Sequence, residues 1–323
     1  MTTKFCRSAE IAFLGLAVCL GAALPASAAT TLTVGKANPT SDAIIPVDVG
    51  DQLGIFKKHG LELKIIDFGG GSKMAQAVAA GSIDIGDGAG TEIAFVAKGA
   101  PMIAICEGAG PAPFVGVGVP WDSPITKAAD LKGKKIGVSS PGSFSEWLAH
   151  ELARHEGWGR DGVTTVAIGG SSSANVAAFR AHEVDAGITS ASLYLALEES
   201  KEARFLVPAS SFEGNVASGT LYASSHLIAS DPGAIRAFLA GWLETIAYMR
   251  AHKAETVKIE SGITHFDEKV MAKEYDLTIG MFTKDCRFDQ ESLATLKRSF
   301  IEEKVLDTAP DMSKLVTDAF LPK

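Results

Sequence analysis

Short apolar runs alternate with longer amphipathic stretches along most of the chain. The short runs predict β-strands, whereas apolar residues spaced three and four apart predict helices with one buried face. The predicted strands are 31–35, 61–67, 83–86, 101–106, 114–119, 135–138, 163–168 and 185–188. The predicted helices are 44–59, 72–80, 91–98, 143–155, 173–181, 190–200, 232–252 and 267–281. This alternation is typical of an α/β fold, and the helix-rich end after residue 230 is predicted to pack on a lobe already built.

Two segments of the chain resemble each other. Residues 70–86 read GGSKMAQAVAAGSIDIG and residues 170–187 read GSSSANVAAFRAHEVDAG, each a glycine- and serine-rich turn, a helix and a short strand. Two copies are too few for a repeat protein, so we expect one copy in each of two lobes. A glycine-rich turn before a helix leaves backbone N–H groups unpaired at the carboxyl edge of a sheet, where open α/β folds bind ligands. Two such edges that face each other would form a cleft.

The first 28 residues have the layout of a secretory signal peptide. Lys4 and Arg7 precede an apolar stretch at 11–24, which is shorter than the about 20 residues of a membrane-spanning helix. Small residues follow this stretch, and cleavage is expected after Ala28 or Ala29. The sequence therefore predicts an exported, periplasmic protein.

The four cysteines divide into two within the predicted leader and two beyond it. Cys19 follows an apolar triplet, as in a lipoprotein signal, but the bulky Val18 before it disfavours that alternative. Cys106 and Cys286 could form one disulfide in an oxidising compartment, and two buried free thiols are the alternative that we favour. No spacing typical of a metal site occurs, so neither a metal nor a cofactor is expected.

Composition excludes several classes of protein. The chain has 323 residues, 46% of them hydrophobic, which is enough for one large or two medium domains with buried cores. The net charge of -8 argues against a nucleic-acid partner, because contacts with phosphates require a basic surface. A small anionic ligand is compatible with this charge.

Four blocks of the sequence carry a family resemblance. They are LGIFKKHGLELKI at 53–65, QAVAAGSIDIGDG at 76–88, ADLKGKKIGVSSPGS at 129–143 and AAFRAHEVDAGIT at 177–189. In this order they resemble the extracytoplasmic solute-binding proteins of nitrate, sulfonate and taurine ABC importers. That group includes binders of thiamine-pyrimidine precursors.

The resemblance implies the type II periplasmic binding protein fold, with two mixed sheets flanked by helices in two α/β lobes and a two-segment hinge. Residues 29–118 and 219–323 would form a discontinuous lobe 1, and residues 119–218 would form lobe 2. The resemblance also implies that a small organic solute binds between the lobes and that the closed form docks on an ABC transporter permease with its ATPase. The protein is expected to be a monomer and not an enzyme.

Ligand-binding residues are predicted where a turn precedes a helix and the family places a ligand-facing loop. They are Asn38, Thr40, Ser41, Asp42, Gly71, Ser72, Gly88, Gly90 and Thr91 in lobe 1, and Ser139, Ser140, Ser143, Ser172, Ser173, Thr189 and Ser190 in lobe 2. Ser143 and Glu146 form an S-x-x-E capping box, which would leave neighbouring amides free to bind an anion. Ordinary helix capping is the alternative for any one of these Ser or Thr residues, so the prediction depends on their convergence.

Lys73 is the only cation in these loops, so neutral donors and helix ends are expected to hold a sulfonate or carboxylate. An ammonium group, as in taurine, would require a carboxylate. The candidates, each of which also fits an ordinary turn or cap, are Asp42, Asp87 and Glu92. The candidates for stacking on an aromatic ligand, with packing in the core or hinge as the alternative, are Phe114, Trp121 and Phe144.

Three alternative functions stay open. One lineage with a similar fold makes the thiamine pyrimidine and carries a cysteine-rich stretch, which is missing here because Cys106 and Cys286 stand alone. No nucleophile elbow or P-loop occurs, and GDGAG at 86–90 lacks the GxGxxG spacing, so catalysis is disfavoured. The other two alternative functions are binding of a thiamine-pyrimidine precursor and a role as sensing partner of a membrane receptor.

Overall fold

The structure is a computed structural model that describes residues 1–2, 29–113 and 115–322. Residues 3–28 of the predicted signal peptide, the stacking candidate Phe114 and the side chain of Ser172 lie outside the described part of the chain. Among the described helices, none has the length and apolar character needed to cross a bilayer.

Strands and helices alternate through the first two thirds of the chain, and helices dominate the last third. The strands are β1 Thr30–Lys36, β2 Leu61–Asp67, β3 Ile85–Gly88, β4 Met102–Ala109, β5 Gly116–Pro120, β6 Lys135–Val138, β7 Thr164–Ala167, β8 Ala186–Thr189, β9 Ala203–Pro208 and β10 Gly219–Ser224. The helices are α1 Pro46–Gln52, α2 Ile55–Lys58, α3 Gly71–Ala79, α4 Ile93–Ala97, α5 Phe144–His155, α6 Ser172–Arg180, α7 Ala191–Glu199, α8 Ser225–Ser230, α9 Pro232–Ala251, α10 Lys253–Thr264, α11 Glu268–Thr278 and α12 Gln290–Glu302.

The strands form two mixed sheets of five strands each. In the first sheet the order is β2-β1-β3-β10-β4, with β1 parallel to β2 and β3 and with β10 antiparallel to β3 and β4. In the second sheet the order is β7-β6-β8-β5-β9, with β6 parallel to β7 and β8 and with β5 antiparallel to β8 and β9. The two sheets follow one plan, and they confirm the predicted two-lobe α/β fold.

The two similar segments of the sequence occupy equivalent places in the two lobes. Helix α3 leads into β3 in lobe 1, and α6 leads into β8 in lobe 2. The aspartate before each strand makes the same bond: Asp84 Oδ2 accepts from Thr33 N at 2.8 Å, and Asp185 Oδ2 accepts from Lys135 N at 2.9 Å. Each lobe therefore contains one copy, as predicted.

Two segments of the chain cross between the sheets. The first, residues 110–115, joins β4 to β5, and the second, residues 209–218, joins β9 to β10. Residues 116–118 belong to β5 and pair within the second sheet, so the first crossing lies a few residues before the predicted boundary at 118/119. The assignment of the remaining residues to the two lobes stays a prediction.

The helix predicted over 44–59 is divided in two. Its parts are α1 and α2, and between them Gly54 has a left-handed backbone with φ of 67°. A glycine adopts this conformation at little cost, whereas a continuous helix cannot contain it. The division lets α1 and α2 both pack on α9, where the rings of Phe56 and Phe238 stack with centroids 5.0 Å apart.

Cys106 and Cys286 form a disulfide, with their Cα atoms 4.6 Å apart. The prediction that favoured two free thiols is therefore wrong. The segment that carries Cys286 runs beside β4, where Glu107 N donates to Cys286 O at 3.0 Å and Thr283 N donates to Gly108 O at 2.9 Å. This contact joins residues 180 positions apart, and no local pattern in the sequence indicates it.

The C-terminal helices pack on lobe 1 and also reach lobe 2. Helix α11 packs on α7, and Trp147 Nε1 of α5 donates to Ser299 Oγ of α12 at 2.9 Å. The prediction of a helical end that covers an existing lobe is therefore incomplete, because this end also contacts the second lobe.

Candidate ligand-binding site between the lobes

A cavity of about 90 Å³ lies between the two lobes. This volume corresponds to roughly six to nine water molecules, which suits a small organic molecule. Both sheets face the cavity with the carboxyl ends of their parallel strands, and both crossing segments contribute to its wall through Val115 and Ser218, which precede the antiparallel strands β5 and β10. Ligands are expected at this edge in open α/β sheets.

The structure brings more than half of the predicted binding residues to this cavity. They come from strand ends and helix starts in both lobes, which is the convergence on which the prediction depended. The predicted residues that line the cavity are Asn38, Thr40, Ser41, Gly71, Gly88, Ser139, Ser143, Thr189 and Ser190.

The other predicted residues lie outside the cavity wall. Ser72 and Ser140 hydrogen-bond to each other across the lobes, with their Oγ atoms 2.9 Å apart. Gly90 N donates to Ala217 O at 3.0 Å, and Thr91 lines a separate cavity on the other side of α5. Ser173 is exposed, and of Ser172 only the backbone at the start of α6 is described.

Asp42 also lies outside the cavity, because its carboxylate caps a helix of the opposite lobe. Its Oδ2 accepts from Ala191 N at 3.0 Å and its Oδ1 accepts from Ser192 Oγ at 2.6 Å, both at the N-terminus of α7. Burial raises the pKa of Asp42 to about 6, and the bonds from Ser192 and Ala191 oppose that shift. An N-terminal cap is normally supplied by the residue before the helix. Here it forms only when the lobes are in contact.

We expect Asp42→Ala to weaken solute binding by about ten- to a hundredfold. The variant removes two hydrogen bonds that join the lobes, and at the net of about 0.5–1.5 kcal/mol that a typical hydrogen bond contributes they amount to about 1–3 kcal/mol. Calorimetric titration with a solute that raises the thermal midpoint of the wild type measures the affinity, and hydrogen exchange of residues 189–193 measures protection of the α7 amides.

Asp185→Ala is the matched control for this prediction. It removes an aspartate that also accepts a hydrogen bond from a backbone amide, that of Lys135 at the start of β6, but this bond lies entirely within lobe 2. The control variant should lose thermal stability and keep its affinity. An Asp42→Ala protein with unchanged affinity would show that this cap does not contribute to closure.

The N-terminus of α5 presents unpaired amides to the cavity. Ser143 Oγ accepts from Glu146 N at 3.4 Å, as the predicted capping box requires, but Glu146 Oε2 accepts from Gly142 N at 2.6 Å rather than from Ser143 N. The amides of Phe144 and Ser145 precede the first intrahelical bond and have no acceptor in the described part of the chain. The positive end of the α5 dipole lies at these amides, so this part of the cavity wall favours a negatively charged group.

Glu92 is the one carboxylate among the described lining residues. Only 1% of it is exposed, and its Oε2 accepts from Ala89 N at 2.8 Å and from Thr91 Oγ1 at 3.4 Å. Burial raises the pKa of Glu92 to about 7. A Cβ atom at Gly71 would collide with this carboxylate, so Gly71 is needed to make room for it at the start of α3.

The other two carboxylates considered for an ammonium group do not reach the cavity. Asp42 caps α7, and Asp87 is fully buried beside Lys36. Lys36 Nζ forms ion pairs with Asp48 at 2.5 Å and with Asp67 at 3.5 Å, so this cation belongs to the core of lobe 1. Burial raises the pKa of Asp87 well above its ordinary value, while the charge of Lys36 opposes that shift.

Of the two aromatic candidates that the structure describes, one lines the cavity and the other does not. Phe144 lines the cavity and stacks on Trp147, with ring centroids 5.7 Å apart. Trp121 is 43% exposed and lies away from the cavity wall, where Trp121 N donates to Glu202 O. The structure therefore leaves Phe144 as the described aromatic residue that a bound solute would touch.

Several lining residues were missed by the sequence analysis. Asn175 lies in the second turn of α6, where its Nδ2 donates to Ser171 O at 3.0 Å and its Oδ1 has no described partner. A polar residue on the buried face of a helix was the available signal for Asn175. Ser145 and Ser218 gave no such signal, because serine is common in turns and first turns.

The sheet plan, the paired crossings and the cavity between the lobes define the two-lobe fold of periplasmic binding proteins. Among solved structures, the alkanesulfonate-binding protein SsuA from Xanthomonas axonopodis pv. citri bound to MOPS superposes with a TM-score of 0.77 at 18% identity, covering 90% of this chain and 99% of that chain. The desulfurization enzyme DSZB superposes with a TM-score of 0.63 at 17% identity, covering 90% and 97%. At these identities the similarity shows the fold alone.

The chain belongs to the NMT1/THI5 like family, which matches residues 42–256. This result confirms the family that the sequence blocks indicate. A curated relative, 4-amino-5-hydroxymethyl-2-methylpyrimidine phosphate synthase THI11 of Saccharomyces cerevisiae (strain ATCC 204508 / S288c), is 32% identical over 147 residues, which is 45% of this chain and 41% of the relative. The chain thus spans less than half the length of the curated relatives it matches.

Proposed function

We propose that the protein is the extracytoplasmic solute-binding component of an ABC importer and that it captures a small organic anion between its lobes. The observation that carries this proposal is the cavity between the lobes, whose wall is drawn from both lobes and both crossing segments. Ligand contacts to both lobes would stabilise the closed state relative to an open one by hinge motion at these segments.

The donors around the cavity favour an acidic group on the solute. The free amides of Phe144 and Ser145 lie beside the hydroxyl of Ser143, and the glycine turn at 169–170 precedes α6 on the same side. Helix N-termini bind sulfonate and carboxylate groups through amides and the helix dipole, without a cationic side chain. A sulfonate or carboxylate is therefore the proposed anion.

The proposed partners and location follow from the family. An ABC permease with its ATPase would receive the closed, loaded protein, and the protein itself would act as a monomer in the periplasm. Residues 3–28 of the predicted leader that would export it lie outside the described part of the chain. A membrane sensor receptor is the alternative partner.

Binding without catalysis is the proposed activity, and two relatives give reason to test it. Proteins named as a pyrimidine phosphate synthase and as a desulfurization enzyme are similar to this chain in sequence or fold. The described lining of the cavity contains Glu92 but neither cysteine nor histidine, so it supplies no thiol nucleophile or imidazole base. A thiamine-pyrimidine precursor is the second candidate solute, because the curated relative is named for such a product.

A panel of solutes tests the proposed function. The protein is unfolded and refolded to remove any bound solute, and thermal unfolding is followed with sulfonates, taurine, aliphatic and aromatic carboxylates, nitrate and pyrimidines. A solute at 100 times its Kd stabilises by about 2.7 kcal/mol, which raises the midpoint by about 4 °C at an unfolding entropy of about 2.1 cal/mol/K per residue. A panel without any shift, from a refolded protein with native circular dichroism, would contradict the proposal.

Ser143→Leu should reduce the shift that the best solute produces by about half or more. The larger side chain would fill part of the cavity and remove the cap of α5, and we expect at least a tenfold loss of affinity. Ser173→Leu is the matched control, because Ser173 is an exposed serine of the first turn of α6. Equal affinities of the two variants would exclude the N-terminus of α5 from the binding site.

A further inference from the structure

We propose that a second cavity, on the other side of α5 from the first, binds a small neutral molecule with an apolar body and one hydroxyl or N–H donor, and that this molecule holds the two lobes together. The proposal goes beyond the proposed function, because it assigns a second ligand to a second site. It is carried by the position of the cavity, by its apolar wall and by a buried histidine nitrogen without a hydrogen-bond partner.

The second cavity lies where helices from both lobes meet. Its volume is about 90 Å³, and its wall includes residues of α4, α5 and α12. Helix α4 follows β3 of the first sheet and α5 follows β6 of the second, whereas α12 is joined to α5 by the bond from Trp147 to Ser299. Ser143, at the start of α5, lines both cavities. A molecule in the second cavity would therefore contact both lobes beside the proposed solute site.

The wall of the second cavity is largely apolar. Ala94 and Phe95 of α4, Trp147 of α5 and Phe300 of α12 line it, and only 4% of Trp147 and 1% of Phe300 are exposed. The volume corresponds to roughly six to nine waters, and each buried water requires about two to four polar partners. This wall supplies few such partners, so a molecule with an apolar body suits the cavity better than a group of waters.

His150 of α5 provides a polar contact in this wall. Its side chain lines the cavity and is buried, and its Nδ1 lies 3.2 Å from Arg160 O. A carbonyl oxygen only accepts, so Nδ1 carries the proton of the neutral ring and Nε2 is an acceptor. Nε2 is buried without a hydrogen-bond partner in the described part of the chain, which is costly unless a ligand or water donates to it. The cavity therefore favours a ligand with one hydrogen-bond donor.

The charged residues at the edge of the cavity do not require an ionic ligand. Glu146 accepts from Gly142 N at 2.6 Å and from Thr165 Oγ1 at 3.0 Å, so each of its oxygens is already bonded. Lys98 and Arg160 are exposed, and their charges stay in contact with water.

The two buried titratable groups of the wall are neutral near pH 7. Burial and the charge of Arg160 lower the pKa of His150. Burial and the neighbouring charge of Glu151 raise the pKa of Glu303 to about 9. A neutral ligand avoids placing an uncompensated charge among these groups.

Occupation of this cavity should favour contact between the lobes. A ligand that touches α4 and α5 at once binds more tightly when the lobes are together, so it shifts the population toward that arrangement. The proposed ligand would thus act as an effector, distinct from the solute.

The test compares probes of similar size with and without a donor, by ligand-observed NMR titration of the refolded protein. The pairs are phenol with fluorobenzene and pyrrole with furan. We expect the donor of at least one pair to bind at least about fivefold more tightly than its counterpart, because only the donor satisfies His150 Nε2. Failure of every probe to bind, or donors that bind no better than their counterparts, would overturn the inference and leave the proposed function intact.

His150→Leu assigns the preference to this residue. Leucine has a similar volume and no acceptor, so the ratio within the responding pair should fall to about one or below. His155→Leu is the matched control, because His155 is an exposed histidine of the same helix outside the lining of the cavity, and it should keep the wild-type ratio. Native circular dichroism establishes that each variant is folded. An unchanged ratio in His150→Leu would contradict the assignment.

Ala94→Leu tests the same site from the opposite lobe. Its larger side chain would occupy part of the cavity, so we expect it to abolish binding of every probe. It also keeps the test decisive should His150→Leu not fold. Probe binding that persists in a folded Ala94→Leu protein would place the probes elsewhere and overturn the inference.

Hydrogen exchange tests the effect on the lobes. Ala191 N of lobe 2 donates to Asp42 of lobe 1, so its exchange reports contact between the lobes. A saturating concentration of the donor probe should slow exchange at residues 189–193 at least about threefold in the wild type. The amide of Lys135 is the control, because its bond to Asp185 lies within lobe 2. Equal slowing at both places, or none at α7, would show that the ligand does not hold the lobes together.

Discussion

Reduction of the Cys106–Cys286 disulfide should lower the free energy of unfolding by roughly 5 kcal/mol. The bond closes a chain segment of 180 residues that includes the whole second sheet and β10. The loss of loop entropy in the unfolded chain grows with the length of the closed segment, and for this length the chain-entropy relation gives that magnitude. At an unfolding entropy of about 2.1 cal/mol/K per residue, the thermal midpoint should fall by roughly 8 °C.

The folded structure should survive this reduction, because the partner segments are also joined by backbone hydrogen bonds. Gly110 N donates to Met281 O at 2.9 Å, and Glu107 N donates to Cys286 O at 3.0 Å. Thermal unfolding with and without a phosphine reductant measures the effect. The double variant Cys106→Ala and Cys286→Ala is the control, since its midpoint should be low and insensitive to reductant. A wild-type midpoint that reductant does not move, with free thiols confirmed by titration, would contradict the prediction.

The fold was predictable where local patterns determine an element. The apolar runs at 61–67 and 135–138 became β2 and β6 with the predicted bounds, and the capping serine at 143 precedes α5 as expected. Strands β9 and β10 were missed, although they pair in the sheets, because their neighbours come from distant parts of the chain. The disulfide was missed for the same reason, since only the tertiary fold brings its two cysteines together.

The site was predictable as a set of turns and not as individual contacts. Chain topology alone brings strand ends and helix starts to one cleft, so residues such as Ser143 and Thr189 were found. Asp42 and Ser72 belong to the same turns, but their side chains contact the opposite lobe rather than the cavity. Glu92 was considered together with two other carboxylates, and only side-chain direction separates it from them. That direction depends on Gly71 and Gly88, whose missing side chains leave the space that Glu92 occupies.

Stability should fall steadily as the pH rises from about 5 to 9. Several carboxyl groups are buried without a counter-ion in contact, and burial raises the pKa of Glu107 to about 7, of Glu213 and Glu260 to about 8 and of Glu303 to about 9. In an unfolded chain a glutamate titrates near about 4.3. Above that pH the folded protein binds more protons than the unfolded chain, so the free energy of unfolding decreases with pH by about 1.4 kcal/mol per unit for each extra proton.

Glu213 provides the sharpest test of this pH dependence. It lies in the second crossing segment with 1% of its surface exposed, and neither carboxylate oxygen has a partner among the described residues. Its contribution to stability is fully present below about pH 4.3 and is lost as the pH rises through about 8, because ionisation then leaves an unpaired buried charge. Glu213→Gln cannot ionise, so we expect it to be more stable than the wild type at pH 8 and to lose less stability between pH 5 and 8.

The measurement is the midpoint of urea unfolding at constant ionic strength across pH 5–9 for both proteins. Asp130→Asn is the control, because Asp130 is an exposed carboxylate whose pKa is lowered by hydrogen bonds from Thr126. That control should keep the wild-type slope above pH 5, since Asp130 is ionised in both states there. A wild-type midpoint that stays constant or rises from pH 5 to 8 would show that water or an unrecognised donor stabilises the ionised carboxylates. Parallel slopes for wild type and Glu213→Gln would exclude Glu213 as a source of the pH dependence, and Glu107, Glu260 and Glu303 would then be its sources.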